Sequence, residues 1–349
     1  MASIPASQAT ARFTSALVAT YMEMPKTTSF LRSFFPAKEY LTKYLRIEVM
    51  RGGEKIAVDV VRGSEGNRNR FERSTEKIIE PPYFREYFDL TELDIYDRLW
   101  GSDSIDGTSF GEIVAQVAEK MQILVDKIER AYELMCAQVL LTGIITLSDG
   151  TSIDYKRKAA SLVDGSATTW ATGTNDPYAQ IGAGINFIRT KGRAQGGTYN
   201  MIMGESAADA FFANAIVLAR GPLSNINFDQ LRAPQRDSVG GAFHGTITAK
   251  SYKVNLWTYP EYYDDATDTT VSYIDTKKII IIPEAPKFVM GFAAVPQLID
   301  TDNRVPKKGA FIFGDYVDRK LSTHEYDVKS AGVPIPVAVD QIYTRQVLA

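Results

Sequence analysis

Read by the alternation of apolar and polar positions, the chain changes character several times. Between Gln8 and Met24, Phe13, Leu17, Val18 and Tyr21 fall at helical spacing and Pro25 stops the pattern, which predicts a short helix. Phe34-Phe35-Pro36 then closes a polar stretch with an apolar anchor. From Tyr44 the period drops to two: Ile47 and Val49 alternate with charge, Gly52-Gly53 interrupts, and Ile56, Val58 and Val60 alternate again. Arg62 to Arg70 is polar and turn-prone, a charged strand returns to Ile78 and Ile79, and Pro81-Pro82 ends the excursion. The pattern predicts a two-stranded ribbon over residues 50–82 with its tip near 63–70. Two strands bury too little to hold themselves in water, so such a ribbon needs a partner surface.

The strongest signal follows Ser109. Phe110, Ile113, Val114, Val117, Met121, Leu124, Val125, Ile128, Tyr132, Met135 and Val139 keep one face of a helix. Gly143 stands where a helix is commonly closed by a left-handed residue. A helix over about 109–142 would be a rod of roughly 50 Å. Beyond it, Ser148-Asp149-Gly150 predicts a hairpin turn, and Ala159 to Thr174 a polar loop. Asp176-Pro177 supplies an N-cap and a first-turn proline for a helix burying Tyr178, Ile181, Ile185 and Ile188. Tyr199–Met203 is strand-like, Ala207 to Leu218 is helical, and strands are expected at 245–258, 271–275 and 278–282, with a hairpin tip at Asp264–Asp268. From Lys287 the pattern is strand-rich, ending in an extended segment from Gln341 to Leu348.

Composition narrows the function classes. With 349 residues, the chain exceeds what one core usually holds. Its 39 basic and 42 acidic side chains leave a net charge of −3, against the basic surplus of a dedicated nucleic-acid binder. It does not argue against a container that encloses DNA without gripping it. Cys136 is the single cysteine, read as a buried inert thiol, so an internal disulfide is impossible. No signal peptide and no run of about 20 apolar residues is present, so no membrane span is expected.

Candidate chemistry is sparse. His244 and His324 are the only histidines, and neither has the spacing of a metal or nucleophile site. Lys191-Gly-Arg-Ala-Gln-Gly-Gly197 could hold a phosphate on its amides but follows a helix instead of opening one, so it reads as a solvated loop. Asp264, Asp265 and Asp268 lack the spacing of a calcium loop, and Asp315 with Asp318 carries no signal alone. No catalytic residue, metal or cofactor is expected. The ribbon is different: Arg62, Glu65, Arg68, Arg70, Arg73 and Glu76 crowd it with both signs, and they read as ion pairs to neighbouring subunits. Phe34 and Phe35 are further candidate contacts between subunits, and Gly52, Gly53, Pro81 and Pro82 a candidate hinge.

Taken in order, an apolar arm, an extended ribbon, a long helix, an α/β region and returning strands resemble the lambda-type phage major capsid proteins, the phage major capsid protein E family. Phe30-Leu-Arg-Ser-Phe-Phe35, Val60-Val61-Arg-Gly-Ser64 and Val347-Leu-Ala349 look like that family as they stand. The resemblance implies an α+β tailed-phage capsid fold. Residues 1–49 would be the N-terminal arm and lead-in, 50–82 the E-loop, 83–175 the P-domain with its spine helix, 176–285 the A-domain, and 286–349 a return to the P-domain. It implies self-assembly, in host cytoplasm, into hexameric and pentameric capsomers of an icosahedral shell around double-stranded DNA. It further implies a separate scaffolding protein, a portal protein and a decoration protein as partners. Two rival readings are an encapsulin-like compartment holding enzyme cargo, and a cytosolic enzyme built on the α/β region.

Overall fold

The apolar stripe after Ser109 folds as one helix, α1 (Gly107–Leu141), of 35 residues and about 52 Å. Val117, Met121, Val125, Ile128, Tyr132, Met135 and Val139 are all buried along it. Gly143 ends it at φ +78°, a conformation that costs a residue with a Cβ atom. Its amide donates back to the carbonyls of Gln138 and Val139 at 3.2 and 3.0 Å. A computed structural model describes this helix within residues 29–49, 75–91, 107–171, 173–220, 235–236, 240–265, 267–298, 304–318 and 323–349.

Before α1 lie β1 (Ala37–Glu39), β2 (Leu45–Val49), β3 (Thr75–Ile79) and β4 (Phe84–Thr91). After it come β5 (Ile144–Thr146), β6 (Ser152–Asp154), β7 (Leu162–Val163), α2 (Pro177–Thr190), β8 (Thr198–Met203), α3 (Glu205–Ala213) and α4 (Ala215–Arg220). The middle continues with β9 (Gln235–Arg236), β10 (Ala242–Ala249), β11 (Tyr252–Thr258), β12 (Tyr262–Asp264), β13 (Thr270–Ser272) and β14 (Lys278–Pro283). The last run is β15 (Phe288–Phe292), β16 (Val295–Leu298), β17 (Arg304–Lys307), β18 (Ile312–Asp318), β19 (Thr323–Ser330), β20 (Gly332–Pro336) and β21 (Tyr343–Gln346).

The largest sheet has seven strands in the order β7-β21-β14-β8-β11-β10-β9. Its centre is apolar on both faces, as a sheet covered on two sides must be. Ile202, Ile280 and Ile282 pack in one core with Met135 and Val139 of α1, while Met201, Met203, Ile279 and Ile281 pack in a second with Ile181, Ile185 and Ile188 of α2. The alternation of strand side chains thus divides the interior into two cores sharing one sheet. A three-stranded sheet, β18-β19-β4, lies against α1, where Phe88 stacks on Tyr326 at 5.4 Å. A second, β1-β15-β20, ties the segment after Phe35 to the C-terminal strands.

Local expectations survive well. Asp176 caps α2 by accepting from the Tyr178 amide at 2.9 Å, with Pro177 in the first turn. Asp149-Gly150 turns β5 into β6, and Asp265 accepts from the amides of Thr267 and Thr269 at the β12–β13 tip. Three expectations change. The polar loop at 159–174 contains β7 and the buried Trp170. The helix expected over 207–218 breaks at Asn214, whose side chain caps α4 through the Ile216 amide at 3.0 Å and donates to the Trp170 carbonyl at 2.9 Å. The strand expected from 245 begins at Ala242, which places His244 within β10, beside an irregularity in the register. The seven-stranded sheet also draws β7 and β21 from outside the 176–285 region. The helix predicted over 8–24 lies outside the described residues.

Candidate functional site

The segment before β1 is held by two carboxylates one helical turn apart on α1. Glu133, 1% exposed, accepts from the amides of Leu31 and Arg32 at 2.8 and 3.0 Å and from the Tyr259 hydroxyl at 2.7 Å. Glu129 pairs with the Arg32 guanidinium, which also lies 5.6 Å from the Tyr132 ring and 5.8 Å from that of Phe292. Burial raises the Glu133 carboxyl above its ordinary range, against the opposing pull of Tyr259 and the two amides. Phe30 stacks on Tyr259 at 5.4 Å, and Leu31 is fully buried. This latch joins the N-terminal segment, the long helix and the chain leaving the seven-stranded sheet.

A second node sits at the far end of α1. The Arg157 guanidinium donates to the Leu140 carbonyl at 2.8 Å, the Ile342 carbonyl at 3.2 Å and the Thr344 hydroxyl at 3.1 Å. The Thr344 hydroxyl in turn donates to Leu140 at 2.8 Å. The last carbonyls of a helix lack internal partners, and here the arginine and β21 supply them. Burial pushes Arg157 down to about 10.

The base of the predicted ribbon is β2 paired antiparallel with β3, in register from Leu45↔Ile79 to Val49↔Thr75. Leu45 and Ile79 are buried at its root, whereas Leu41, Tyr44 and Ile78 are 66%, 49% and 59% exposed. Beside the root lies a groove of about 470 Å³ lined mainly by Pro81, Tyr83, Ala294, Pro296 and Pro306, with the Lys43–Glu80 pair at 2.8 Å on its edge. Tyr83 and Tyr87 remain about half exposed. Between them Arg85 reaches the buried Asp327 at 2.9 Å, which Lys329 meets from the other side at 2.8 Å. Arg85 and Lys329 are therefore paired within the chain, and Tyr83 and Tyr87 stand exposed beside them.

Of the residues singled out from sequence, Gly52, Gly53, Arg62, Glu65, Arg68, Arg70 and Arg73 lie outside the described residues. Glu76 stands on β3 opposite Glu48. Pro81 is buried in the groove wall and Pro82 half-buried. Phe35 is 2% exposed and stacked on Phe288 at 4.9 Å, so its ring belongs to its own subunit's core, while Phe34 is only partly covered. The latch and Arg157 carried little sequence signal. Glu129 and Glu133 are an acidic pair flanking an apolar stripe, and Arg157 has no distinguishing neighbourhood.

The histidines are structural in their contacts. His244 shares a hydrogen bond with the Thr258 hydroxyl at 2.8 Å, and burial lowers its basicity. His324 bonds Asp315 on the facing strand and the Tyr326 hydroxyl at 3.0 Å. Cys136 is fully buried on α1, with its thiol pushed well up by burial. Among the described residues no group of three or more His, Cys, Asp or Glu is placed to hold a metal, and no helix is long and apolar enough to cross a membrane.

The sequence profile of phage major capsid protein E matches residues 13–343. The chain belongs to that family. Among solved structures, a proposed prophage capsid protein from E. coli CFT073 superposes with a TM-score of 0.64 at 13% identity, covering 97% of this chain and 98% of that one. A phage-related protein from Bordetella bronchiseptica RB50 gives 0.53 at 11% identity, covering 95% of each. No curated protein sequence matches. At these identities the likeness establishes the fold, the α+β tailed-phage capsid fold, and the family match carries the function. This capsid protein forms a shell by self-assembly into capsomers and resides in the virion capsid. Phage major capsid protein E members are structural proteins. Its described surface leaves apolar and aromatic groups exposed at the root of the ribbon, in the groove beside it and on β4.

Proposed function

We propose that this capsid protein builds an icosahedral shell of hexameric and pentameric capsomers around the double-stranded DNA of a tailed phage or prophage, without catalysis. The observation that carries the reading is the ribbon root. Five residues of β2 pair with five of β3, and Leu41, Tyr44 and Ile78 project from this root largely uncovered. Exposed apolar and aromatic groups of this kind gain from burial against a neighbour. On this reading residues 50–82 are the E-loop, with Arg62, Glu65, Arg68, Arg70, Arg73 and Glu76 pairing across subunits and Gly52, Gly53, Pro81 and Pro82 as its hinge. Residues 83–175 form most of the P-domain and 176–285 most of the A-domain, with 286–349 returning to the P-domain apart from β21.

The partners that go with this reading are a scaffolding protein, a portal protein and a decoration protein, with assembly in the host cytoplasm. Negative-stain microscopy of the protein expressed alone and with its scaffold tests it. Closed shells or capsomer-derived tubes are the expected outcome, with duplex DNA inside particles made in infection. Discrete small oligomers in both preparations would sink it, and shells filled with an enzyme would make it a compartment. Replacing Gly52 and Gly53 by Val should impair assembly more than subunit folding, and unchanged particles would remove the hinge.

A further inference from the structure

The chain's overall charge is close to balanced, but the balance is not uniform. From Pro177 to Gly204 there are three basic side chains, Arg189, Lys191 and Arg193, and no acidic one. From Ser238 to Pro260 there are two, Lys250 and Lys253, and again no carboxylate. The fold brings these two acid-free segments together. β8 and β11 run parallel in register from Thr198↔Lys253, and the Lys253 amide donates to the Gly197 carbonyl at 2.8 Å. Lys250, in the β10–β11 turn, lays its stem across Gly182 of α2, where a Cβ atom would stand 2.9 Å from the lysine's Cε. α2 carries Arg189 in its last turn and delivers Lys191 and Arg193 in the loop that leads to β8. Lys191, Arg193, Lys250 and Lys253 are exposed, and the three lysines pair with no carboxylate among the described residues. Glu284, whose amide donates to Thr198 at 3.3 Å, is at the same end, with Lys287 following.

We infer that this end of the seven-stranded sheet is a sequence-independent contact for the phosphate backbone of the enclosed nucleic acid. The inference rests on the reading that the shell holds duplex DNA. Flexible ammonium groups around a glycine-rich loop suit a polyphosphate, which binds by charge alone and releases counterions. A protein partner would want apolar seats as well, and here the apolar residues point inward: Ile185, Ile188 and Val254 are fully buried. Nothing in the surface reads a base, so the contact is weak per subunit and gains strength by repetition around the shell.

The test uses unassembled full-length protein and a mixed-sequence duplex of about 30 base pairs, followed by fluorescence anisotropy across a salt series. Replacing Lys191, Lys250 and Lys253 together by Gln should weaken binding tenfold or more at low salt. The slope of log affinity against log salt should become shallower by about two to three, and by about one for Lys253→Gln alone. The control, Lys156→Gln with Lys278→Gln, removes two lysines that are ion-paired elsewhere and should leave the slope unchanged. Equal slopes for wild type and the triple variant overturn the inference, as does a wild type that binds no duplex. Polyglutamate competing better than duplex at equal charge would also overturn it and point to an acidic protein segment. Microscopy of wild type expressed with its scaffold reports on the shell separately, so a protein that binds duplex but builds no shell fails the earlier reading and not the contact.

Discussion

The Tyr259 hydroxyl donates to the Glu133 carboxylate at 2.7 Å across 126 residues of sequence. The same carboxylate receives the Leu31 and Arg32 amides, so three donors from two distant segments converge on one side chain of α1. Glu133→Ala leaves all three without an acceptor in a buried place and should cost about 3–5 kcal/mol. Tyr259→Phe removes a single donor and should cost about 1–3 kcal/mol. Urea unfolding of the two variants measures both, and equal losses would mean the carboxylate is not the hub.

Protonation of Glu133 has a defined sign. Its carboxyl is raised in the fold by burial, so the folded state binds the proton more tightly than the unfolded chain. The group's contribution is fully present below the unfolded value of 4.5 and is lost as pH rises through the higher folded value. Wild type compared with Glu133→Gln should therefore lose relative stability as pH climbs above 4.5. A relative gain over that interval would show that the donors outweigh burial.

Arg157 closes the end of α1 with a fork that reaches Leu140, Ile342 and Thr344. Arg157→Ala strips partners from buried carbonyls and should cost about 2–4 kcal/mol. Arg157→Lys keeps the charge but cannot reach in several directions, so its loss should fall between wild type and Ala. Denaturant midpoints rank the three.

Ile78 and Tyr87 are more than half exposed in the isolated subunit. Ile78→Ser and Tyr87→Ala should each change subunit stability by less than about 0.5 kcal/mol. Shell yield, counted by microscopy at matched protein concentration, should fall clearly for both. Stability losses of core size would show that these side chains serve the fold instead.

Cys136 is enclosed on α1 with its thiol held protonated. A chromogenic disulfide reagent should find no reactive thiol in the folded protein and one per chain in denaturant. Rapid reaction under native conditions would mean that α1 opens locally.

Sequence patterning anticipated elements whose cause is local. The stripe from Val117 to Val139 needs only the helical period, and Asp176-Pro177 or Asp149-Gly150 need only their neighbours. It failed where the cause is distant. Leu162–Val163 is too short for a period to register, and it becomes a strand only because Thr344 and Arg345 lie beside it. Asn214 breaks a good helical pattern because Trp170, 44 residues earlier, offers a carbonyl to its side chain. The latch is the same case: nothing near Glu133 in sequence announces Leu31 or Tyr259. For the surface, the pattern identified the ribbon root, β2 with β3, while the charged stretch from Arg62 to Arg73 lies beyond the described residues.

The place of β21 also bears on synthesis. It sits between β7 and β14, yet it is translated some sixty residues after β14. At ordinary elongation rates that is a wait of about 3–12 s. During it the edge of β14, with Ile279 to Ile282 destined for full burial, stands open to any strand that passes. A cell making thousands of copies at once would thus carry a standing population of half-closed sheets, and a holding chaperone or slowed translation over this interval would raise the yield of assembly-competent subunits.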